Sequence, residues 1–221
     1  MDQPASPTKH LVYFADPMCS WCYGFAPVIA ELAERFEERL PLQMVMGGLR
    51  AGNTTPMRTE DKAYIRSAWT NVNQATGQPF DFHFLEREGF VYDTEPACRA
   101  VVTARRLKPA MELPFMARIQ QAFYAENRDM TSADEIADVA EEAGFEREVF
   151  SAAFLAPDTR NDTFRDFLTA QQLEIRGFPT LIAGNNQEGY ALLTNGYRPL
   201  DDLAAPLERW WAAGAPVKPA G

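Results

Sequence analysis

The amino-terminal part of the chain combines two short apolar runs with one long helical pattern. Residues 11–14 form an uninterrupted apolar run rich in strand-forming residues, which is typical of a buried β-strand. Apolar residues then recur every three or four positions over residues 19–40, with charged residues between them, so this segment is predicted to be an amphipathic helix. A second apolar run covers residues 42–46. This order predicts two parallel strands joined by a right-handed crossover.

The middle of the chain shows no strand pattern for more than a hundred residues. Its clearest helix start is at Ser132, which is followed three residues later by Glu135 in the spacing of a capping box, and Gly144 follows the segment. The sequence therefore predicts an all-helical subdomain over residues 53–176. Its five or six helices are expected within residues 60–72, 95–107, 114–126, 132–143, 146–155 and 158–173.

Strand patterns return towards the carboxyl terminus. Residues 180–183 and 190–194 are short apolar runs separated by a polar loop, which predicts an antiparallel hairpin, and an amphipathic helix is expected over residues 200–213. The predicted organisation is one discontinuous domain, built from residues 9–52 and 177–213, into which the helical subdomain is inserted. The two ends, residues 1–8 and 214–221, are rich in Pro, Ser, Thr and Ala and are expected to be flexible.

Composition narrows the range of partners. The chain has a formal net charge of -10 and a pI near 4.8, which argues against nucleic acid and anionic membrane surfaces as partners. No apolar run approaches the roughly 20 residues of a membrane-spanning helix, so no membrane association is expected. The first residues lack the basic and apolar pattern of a signal peptide, which, for a native start, predicts a cytoplasmic protein.

The chain has three cysteines, and two of them form a closely spaced pair, Cys19 and Cys22, at the predicted strand-to-helix junction. Such a pair outside a disulfide framework indicates redox chemistry or half a metal site. Tetrahedral zinc needs four ligands, and His10 and His83 lie at scattered positions, so we expect redox chemistry and no metal. The leftover Cys98 lies on a predicted helix with a small-residue face and is expected to be buried and inert.

The helix amino terminus assigns roles to the two cysteines. Free N–H groups and the positive end of the helix dipole favour a thiolate at this position. Cys19 is therefore predicted to be the nucleophile, and Cys22, one turn further into the helix, is predicted to resolve the mixed disulfide. Trp21 between them carries no charge.

Three motifs in this element order resemble a known family. They are the segment of residues 16–22 (DPMCSWC), Pro27 eight residues beyond Cys19, and the segment of residues 177–180 (GFPT). The chain resembles the DsbA-like oxidoreductases, and among them the FrnE-type branch of cytoplasmic proteins. The resemblance implies an α/β, thioredoxin-like fold with an inserted all-helical subdomain. It further implies disulfide exchange or isomerisation on protein or small-molecule thiols and disulfides, without a bound cofactor and with glutathione open as a co-substrate.

The resemblance also implies roles for the residues around the cysteines. Pro179 would be a cis-proline facing the pair, and Phe178 would present its backbone to an extended substrate. Ser20, Trp21 and Phe178 are predicted substrate contacts. Trp21 is expected to be exposed, and Trp21, Tyr23 and Phe178 are expected to form an apolar rim around the two sulfurs. Asp16 has two open interpretations: it accepts the proton of Cys22, or it caps the helix.

The residue before the second cysteine bears on redox potential. Strongly oxidising DsbA proteins have a histidine there, whereas this chain has Trp21. We therefore expect a reduction potential between roughly -120 and -270 mV, the values of DsbA and thioredoxin.

Two other functions are compatible with this architecture. One is a glutathione-dependent isomerase or transferase, similar to 2-hydroxychromene-2-carboxylate isomerase or to polyketide isomerases. These enzymes activate glutathione with a serine and need no resolving cysteine, so the presence of both Cys19 and Cys22 argues against them. The other is a non-enzymatic, chaperone-like binder that uses an aromatic groove between the domains. The oligomeric state is not predicted.

Overall fold

A computed structural model describes residues 9–213 of the 221-residue chain, and the ends predicted to be flexible lie outside the described residues. The predicted elements are confirmed in type and order, and their boundaries shift by at most four residues. The strands and helices are β1 (His10–Ala15), α1 (Ser20–Phe36), β2 (Leu42–Met46), α2 (Thr59–Thr76), α3 (Glu95–Leu107), α4 (Glu112–Tyr124), α5 (Ala133–Glu142), α6 (Arg147–Leu155), α7 (Pro157–Gln172), β3 (Thr180–Asn185), β4 (Gly189–Asn195) and α8 (Leu200–Ala213).

The four strands form one mixed sheet in the order β2-β1-β3-β4. β1 and β2 are parallel, as predicted, with Tyr13 opposite Met44. β3 runs antiparallel to β1, and β4 completes the predicted hairpin with β3. The α/β class and the thioredoxin-like arrangement with a helical insertion are therefore confirmed. No helix within residues 9–213 is both long and apolar enough to cross a lipid bilayer.

β1 is buried on both faces because helices cover the sheet on each side. Leu11, Tyr13 and Ala15 alternate along β1 and pack in one core with residues of α1 and α8. Val12 and Phe14 point to the opposite face, where they meet Ala170 of α7. This two-sided burial explains why the strand has an uninterrupted apolar run rather than an alternating pattern.

The helical segment has an aromatic core of its own but is not separate from the sheet. Trp69 of α2 is fully buried, and its ring lies 5.2 to 6.1 Å from those of five neighbours: Phe80, Phe82, Phe84, Phe123 and Tyr124. Residues of α3 and α4, in contrast, belong to the core of β1 and α1; they are Cys98, Val101, Val102 and Met116. The division at residues 53 and 176 thus stays a prediction.

Side chains from the helical segment close the outer edge of β2. The Met46 N–H donates to Asp166 Oδ2 of α7 at 3.0 Å, and Arg105 Nη2 of α3 donates to the Met44 carbonyl at 3.0 Å. Arg105 is held by ion pairs to Asp166, at 2.7 Å, and to Glu112, at 2.6 Å. These contacts satisfy backbone groups that an edge strand would otherwise leave open to pairing.

Candidate active site

Cys19 lies at the junction between β1 and α1, at the N-cap position of the helix. Its backbone is extended, with φ -91° and ψ 117°, and no described side chain caps the helix at this end. The first turn contains Ser20, Trp21 and Cys22 and no acidic residue. The N–H groups and positive dipole end of α1 therefore act on the Cys19 thiol without a competing carboxylate in that turn.

The loop before β3 brings a backbone carbonyl to the Cys19 thiol. The Cys19 Sγ donates to the Phe178 carbonyl at 3.5 Å, and the Phe178–Pro179 peptide bond is cis, as predicted. Gly47, at the end of β2, makes room for the Phe178 ring, because a Cβ at this glycine would lie 2.0 Å from Phe178 Cζ. The segments that follow β1 and β2 and the one that precedes β3 thus meet at Cys19.

Cys22 is fully buried one turn behind Cys19, which retains 7% exposure. Burial, together with the neighbouring Cys19, raises the pKa of the Cys22 thiol well above its usual value. Tyr13 of β1 is also fully buried, and burial followed by its proximity to Cys22 and Cys19 raises the pKa of its phenol. All three cysteines are free thiols in this structure.

Asp16 is fully buried beside the cysteines. Its Oδ1 accepts from the Met18 N–H at 2.8 Å, and its Oδ2 accepts from the Leu49 N–H at 2.7 Å. Burial raises the pKa of Asp16 although these hydrogen bonds act to lower it. The helix-cap interpretation is wrong, because the Asp16 carboxylate accepts from Met18 before the helix and from Leu49 after β2, and not from the first turn of α1. Its role as proton acceptor of Cys22 stays a prediction.

Cys98 is buried, as predicted, but it has a polar neighbour that the sequence does not reveal. Its Sγ donates to Asp16 Oδ2 at 3.5 Å. Burial, and secondarily the charge of Asp16, raises the pKa of the Cys98 thiol well above its usual value. The third cysteine is thus connected through Asp16 to the loop that carries Cys19.

An open groove of about 310 Å³ lies beside Cys19. Ser20, Trp21 and Phe178 line it, as predicted for substrate contacts, although the binding role itself stays a prediction. Trp21 is partly buried rather than exposed, because its ring packs 6.0 Å from that of Tyr197. Tyr23 is absent from the rim, since it is buried and stacked on Tyr124 at 4.9 Å between ring centroids.

Sequence reasoning missed most of the opposite wall of the groove. The missed residues come from the loop after β2, from α2 and from the segment before α3, and they are Leu49, Arg50, Tyr64, Ile65, Ala68, Trp69 and Tyr92. The position of Leu49 and Arg50 could have been predicted, because segments that follow parallel strands lie at the same sheet edge. The sequence contains no comparable signal for the residues of α2. Among residues 9–213, no three His, Cys, Asp or Glu side chains come together in a way that could hold a metal ion.

Residues 10–208 match the family model of the DSBA-like thioredoxin domain. The chain belongs to this family. The match spans β1 to α8 and includes the cysteine pair, the helical segment and the cis-proline loop. The DSBA-like domain therefore accounts for nearly the whole described chain.

Two solved structures are similar over most of their length. One, from Nitrosomonas europaea and provisionally named a protein disulfide isomerase, is 37% identical, with a TM-score of 0.87, and the match covers 93% of this chain and 98% of that one. The other is the cytosolic disulfide reductase DsbM from Pseudomonas aeruginosa, at 27% identity and a TM-score of 0.76, with 92% and 99% coverage. DsbM has also been solved with GSH.

A curated relative bears a different name. The ClpXP adapter protein SpxH of Halalkalibacterium halodurans is 20% identical over 203 residues, which cover 88% of this chain. The chain spans 65% of the length of that relative.

Proposed function

We propose that the protein is a thiol–disulfide oxidoreductase in which Cys19 is the nucleophile and Cys22 is the resolving thiol. The observation that carries this proposal is the placement of the Cys19 thiol at the amino terminus of α1, in contact with the Phe178 carbonyl, with Cys22 buried behind it. The names of the relatives from Nitrosomonas europaea and Pseudomonas aeruginosa support the same chemistry.

The reaction would proceed in two exchanges that conserve atoms and electrons. The Cys19 thiolate attacks one sulfur of a substrate disulfide, so that a Cys19–substrate disulfide forms and one substrate thiolate leaves. Cys22 then loses its proton and attacks Cys19 Sγ, which releases the second thiolate and leaves a Cys19–Cys22 disulfide. Two electrons pass from the enzyme to the substrate, and the same steps in reverse oxidise a pair of thiols.

Pro179 and Asp16 would assist these exchanges in different ways. Pro179 has no N–H to donate, so the neighbouring backbone of Phe178 stays available to an extended substrate. Asp16 would accept the Cys22 proton, since burial raises the pKa of this carboxyl and so makes it a better proton acceptor than an exposed carboxylate. Ser20, Trp21 and Phe178 would contact the substrate in the groove.

The cellular setting is proposed from the likeness to DsbM, which is named a cytosolic reductase. We propose that this protein is cytoplasmic and that it belongs to the FrnE-type branch of the family. We expect it to act on protein or small-molecule disulfides. The structure of DsbM with GSH supports glutathione as a co-substrate. Isomerisation would start from the same mixed disulfide. A different thiolate of the substrate attacks the substrate sulfur bonded to Cys19, so that a new substrate disulfide forms and the Cys19 thiolate leaves, with no net transfer of electrons.

The decisive experiment compares the single cysteine variants. Cys22→Ser should accumulate a stable mixed disulfide with a model disulfide substrate, detectable by mass spectrometry, because the resolving thiol is missing. Cys19→Ser should abolish exchange, whereas Cys98→Ser, which keeps the active-site pair, should still complete exchange and trap no mixed disulfide. Exchange at the wild-type rate in both active-site variants would contradict the proposal.

The likeness to SpxH favours a second candidate, a non-enzymatic protein binder. A variant that carries both Cys19→Ser and Cys22→Ser separates the two functions. Retention of its protein partners by this variant, together with an inactive wild-type protein in disulfide exchange, would favour the binder. Loss of partner capture with the cysteines would favour the enzyme.

A further inference from the structure

The groove beside Cys19 contains one basic side chain and no acidic one. Of the thirteen described residues that line it, Arg50 alone is a Lys, Arg, Asp or Glu, and the others are apolar, aromatic or small apart from the nucleophile Cys19 itself. This cation stands out in a chain whose formal net charge is -10. A substrate that enters this groove therefore meets one basic side chain and no carboxylate beside the Cys19 sulfur.

Arg50 is fixed in place relative to the nucleophile. Its backbone N–H donates to Thr94 Oγ1 at 3.1 Å, and its guanidinium carbon lies 5.1 Å from the centroid of the Tyr92 ring. The Tyr92 hydroxyl donates to the carbonyl of Met18 at 2.7 Å, one residue before Cys19. The guanidinium thus rests on a ring that is bonded to the segment carrying the reactive thiol, and the stacking stabilises its position.

The Arg50 guanidinium forms no ion pair with a carboxylate of residues 9–213. Asp61 is near enough to interact with Arg50 electrostatically, but its ion pair is with Arg58, at 3.2 Å. Arg50 also borders a second open cavity of about 600 Å³, whose lining does not include Cys19. A guanidinium offers five donors in a planar fork that matches a carboxylate, and Arg50 lines two open cavities from which a carboxylate could approach.

We infer that Arg50 binds a carboxylate of the substrate and that the preferred substrates are small disulfides and thiols that carry a carboxylate close to the sulfur. This inference rests on the proposed function and narrows its substrate class. The exchange takes place at Cys19 while the carboxylate pairs with Arg50, and Arg50 transfers neither electrons nor protons. Arg50 is thus a specificity-determining residue.

Three model disulfides that differ in charge provide the test. They are 3,3′-dithiodipropionate, which is anionic, 2-hydroxyethyl disulfide, which is neutral, and cystamine, which is cationic. Pre-reduced protein is mixed with each, and the second-order rate constant of a single turnover is measured. Each variant is compared with the wild type on the same disulfide, so the different intrinsic reactivities of the three probes cancel.

Arg50→Met should lower the ratio of the anionic to the neutral rate constant by about tenfold, as expected for loss of a charge-assisted contact that is partly open to water. Arg50→Lys should lower it less, because lysine keeps the charge but loses the fork. Arg66→Met is the matched control, since Arg66 also stacks on a ring, that of Phe82 at 5.5 Å, but does not line the groove. It should leave the ratio unchanged.

Ionic strength gives a second readout when the wild type is compared with Arg50→Met. Raising the salt concentration from about 20 mM to about 500 mM should lower the ratio of anionic to neutral rate constants more in the wild type than in Arg50→Met, because salt screens the attraction to Arg50 only where Arg50 is present, whereas the repulsion from the chain's net charge of -10 is screened in both proteins. An unchanged ratio in Arg50→Met, an equal loss on all three disulfides, or the same salt response in both proteins would overturn the inference. Failure of the wild type to react with any of the disulfides would instead contradict the proposed function.

Discussion

Cys19 is the one cysteine of the three that keeps any access to solvent. It has 7% exposure and lines the groove, whereas Cys22 and Cys98 are fully buried. Burial also raises the pKa of both inner thiols, so they stay protonated near neutral pH. The three thiols are therefore expected to react with external reagents in a fixed order.

Iodoacetamide should reveal this order in the reduced native protein at pH 7. Cys19 should be alkylated at least about tenfold faster than Cys22 or Cys98, because only an exposed thiolate reacts readily. Peptide mass spectrometry after timed quenching measures the three rates, and the same reaction in urea provides the control in which all three thiols react. Equal rates in the native protein would contradict the burial of Cys22.

Asp16 makes stability depend on pH in a direction opposite to that of a salt-bridged carboxylate. Burial raises its pKa above the usual value of 3.8, so the native state binds more protons than the unfolded state from about pH 4 up to that raised pKa. The free energy of unfolding contributed by Asp16 is therefore largest below this window, falls as the pH rises through it, and stays low above it.

Asp16→Asn should remove this dependence while adding a pH-independent loss of about 1–3 kcal/mol, because one donor among its neighbours loses an acceptor. Urea unfolding of both proteins under reducing conditions, from pH 4 to pH 8, measures the difference. The stability of the wild type relative to Asp16→Asn should decline with rising pH. A difference that is flat or grows would refute the interpretation, and Asp202→Asn on the exposed side of α8 is the control.

Sequence patterns identified the residues of the site whose signal is local. Cys19 and Cys22 are recognisable from their spacing and from the helix that follows, and the cis-proline loop is recognisable from its motif. Tyr92 reaches the groove only through the packing of distant segments, and the contact between Cys98 and Asp16 joins residues 82 positions apart. Contacts between residues so far apart in the chain produce no periodic pattern in a single sequence, so they could not be predicted from it.

At the scale of elements, the end of β2 and the loop before β3 fit together through one glycine. The ring of Phe178 occupies the space that a side chain at position 47 would fill, and the carbonyl of Phe178 meets Cys19. The end of β2 was recognisable in the sequence from Gly47 and Gly48. The packing of the Phe178 ring against Gly47 was not recognisable, because the two segments are more than 120 residues apart.

Gly47→Ala should therefore disturb both stability and catalysis. The added Cβ would force the Phe178 ring out of its position, at a cost of about 1–3 kcal/mol in the free energy of unfolding. The rate of disulfide exchange should fall as the carbonyl shifts away from Cys19. Chemical denaturation and single-turnover kinetics measure the two effects.

Gly144→Ala is the matched control for this substitution. Gly144 has a φ of 87°, and a Cβ there would meet no atom within 4 Å, so alanine adds only backbone strain. It should lower stability without changing the exchange rate. A Gly47→Ala protein with an unchanged exchange rate would show that the position of the Phe178 ring does not matter for the chemistry.

The elements themselves were largely predictable because most of them have a strong pattern. β2 and α3 begin and end at the predicted residues, since Pro41 and Gly47 flank β2 and prolines lie in the first turn of α3 and two residues after its end. α1 ends at Phe36 rather than at residue 40, where tight turns replace the last helical turn although the apolar spacing continues. Periodicity alone does not report such a change in backbone hydrogen bonding.

At the scale of the whole molecule, the packing argues against two independently folding units. Cys98, Val101 and Val102 of α3 are buried in the same core as β1 and α1, and Arg105 bonds the backbone of β2. Unfolding the helical segment alone would expose the side of the sheet core that carries Cys22. We therefore expect one cooperative transition.

Variants that retain a single tryptophan test this expectation. Trp69 reports on the helical core and Trp210 on the sheet core, and both are buried. Proteins that retain only one of them, with the other tryptophans replaced by phenylalanine, should give fluorescence and far-UV circular dichroism midpoints that coincide within each protein. A fluorescence midpoint for Trp69 clearly below that of the far-UV signal would instead show that the predicted subdomain unfolds first.

The closed edge of β2 has a consequence for how this sheet can associate. Asp166 and Arg105 occupy backbone groups of β2, so a second chain cannot extend the sheet on that side without displacing them. β4 is the other outer strand, with β3 as its only strand neighbour within the described residues, and its Tyr190 and Leu192 are exposed. Strand addition, whether by a peptide or by a second copy of the protein, therefore has one available side, and that side is β4.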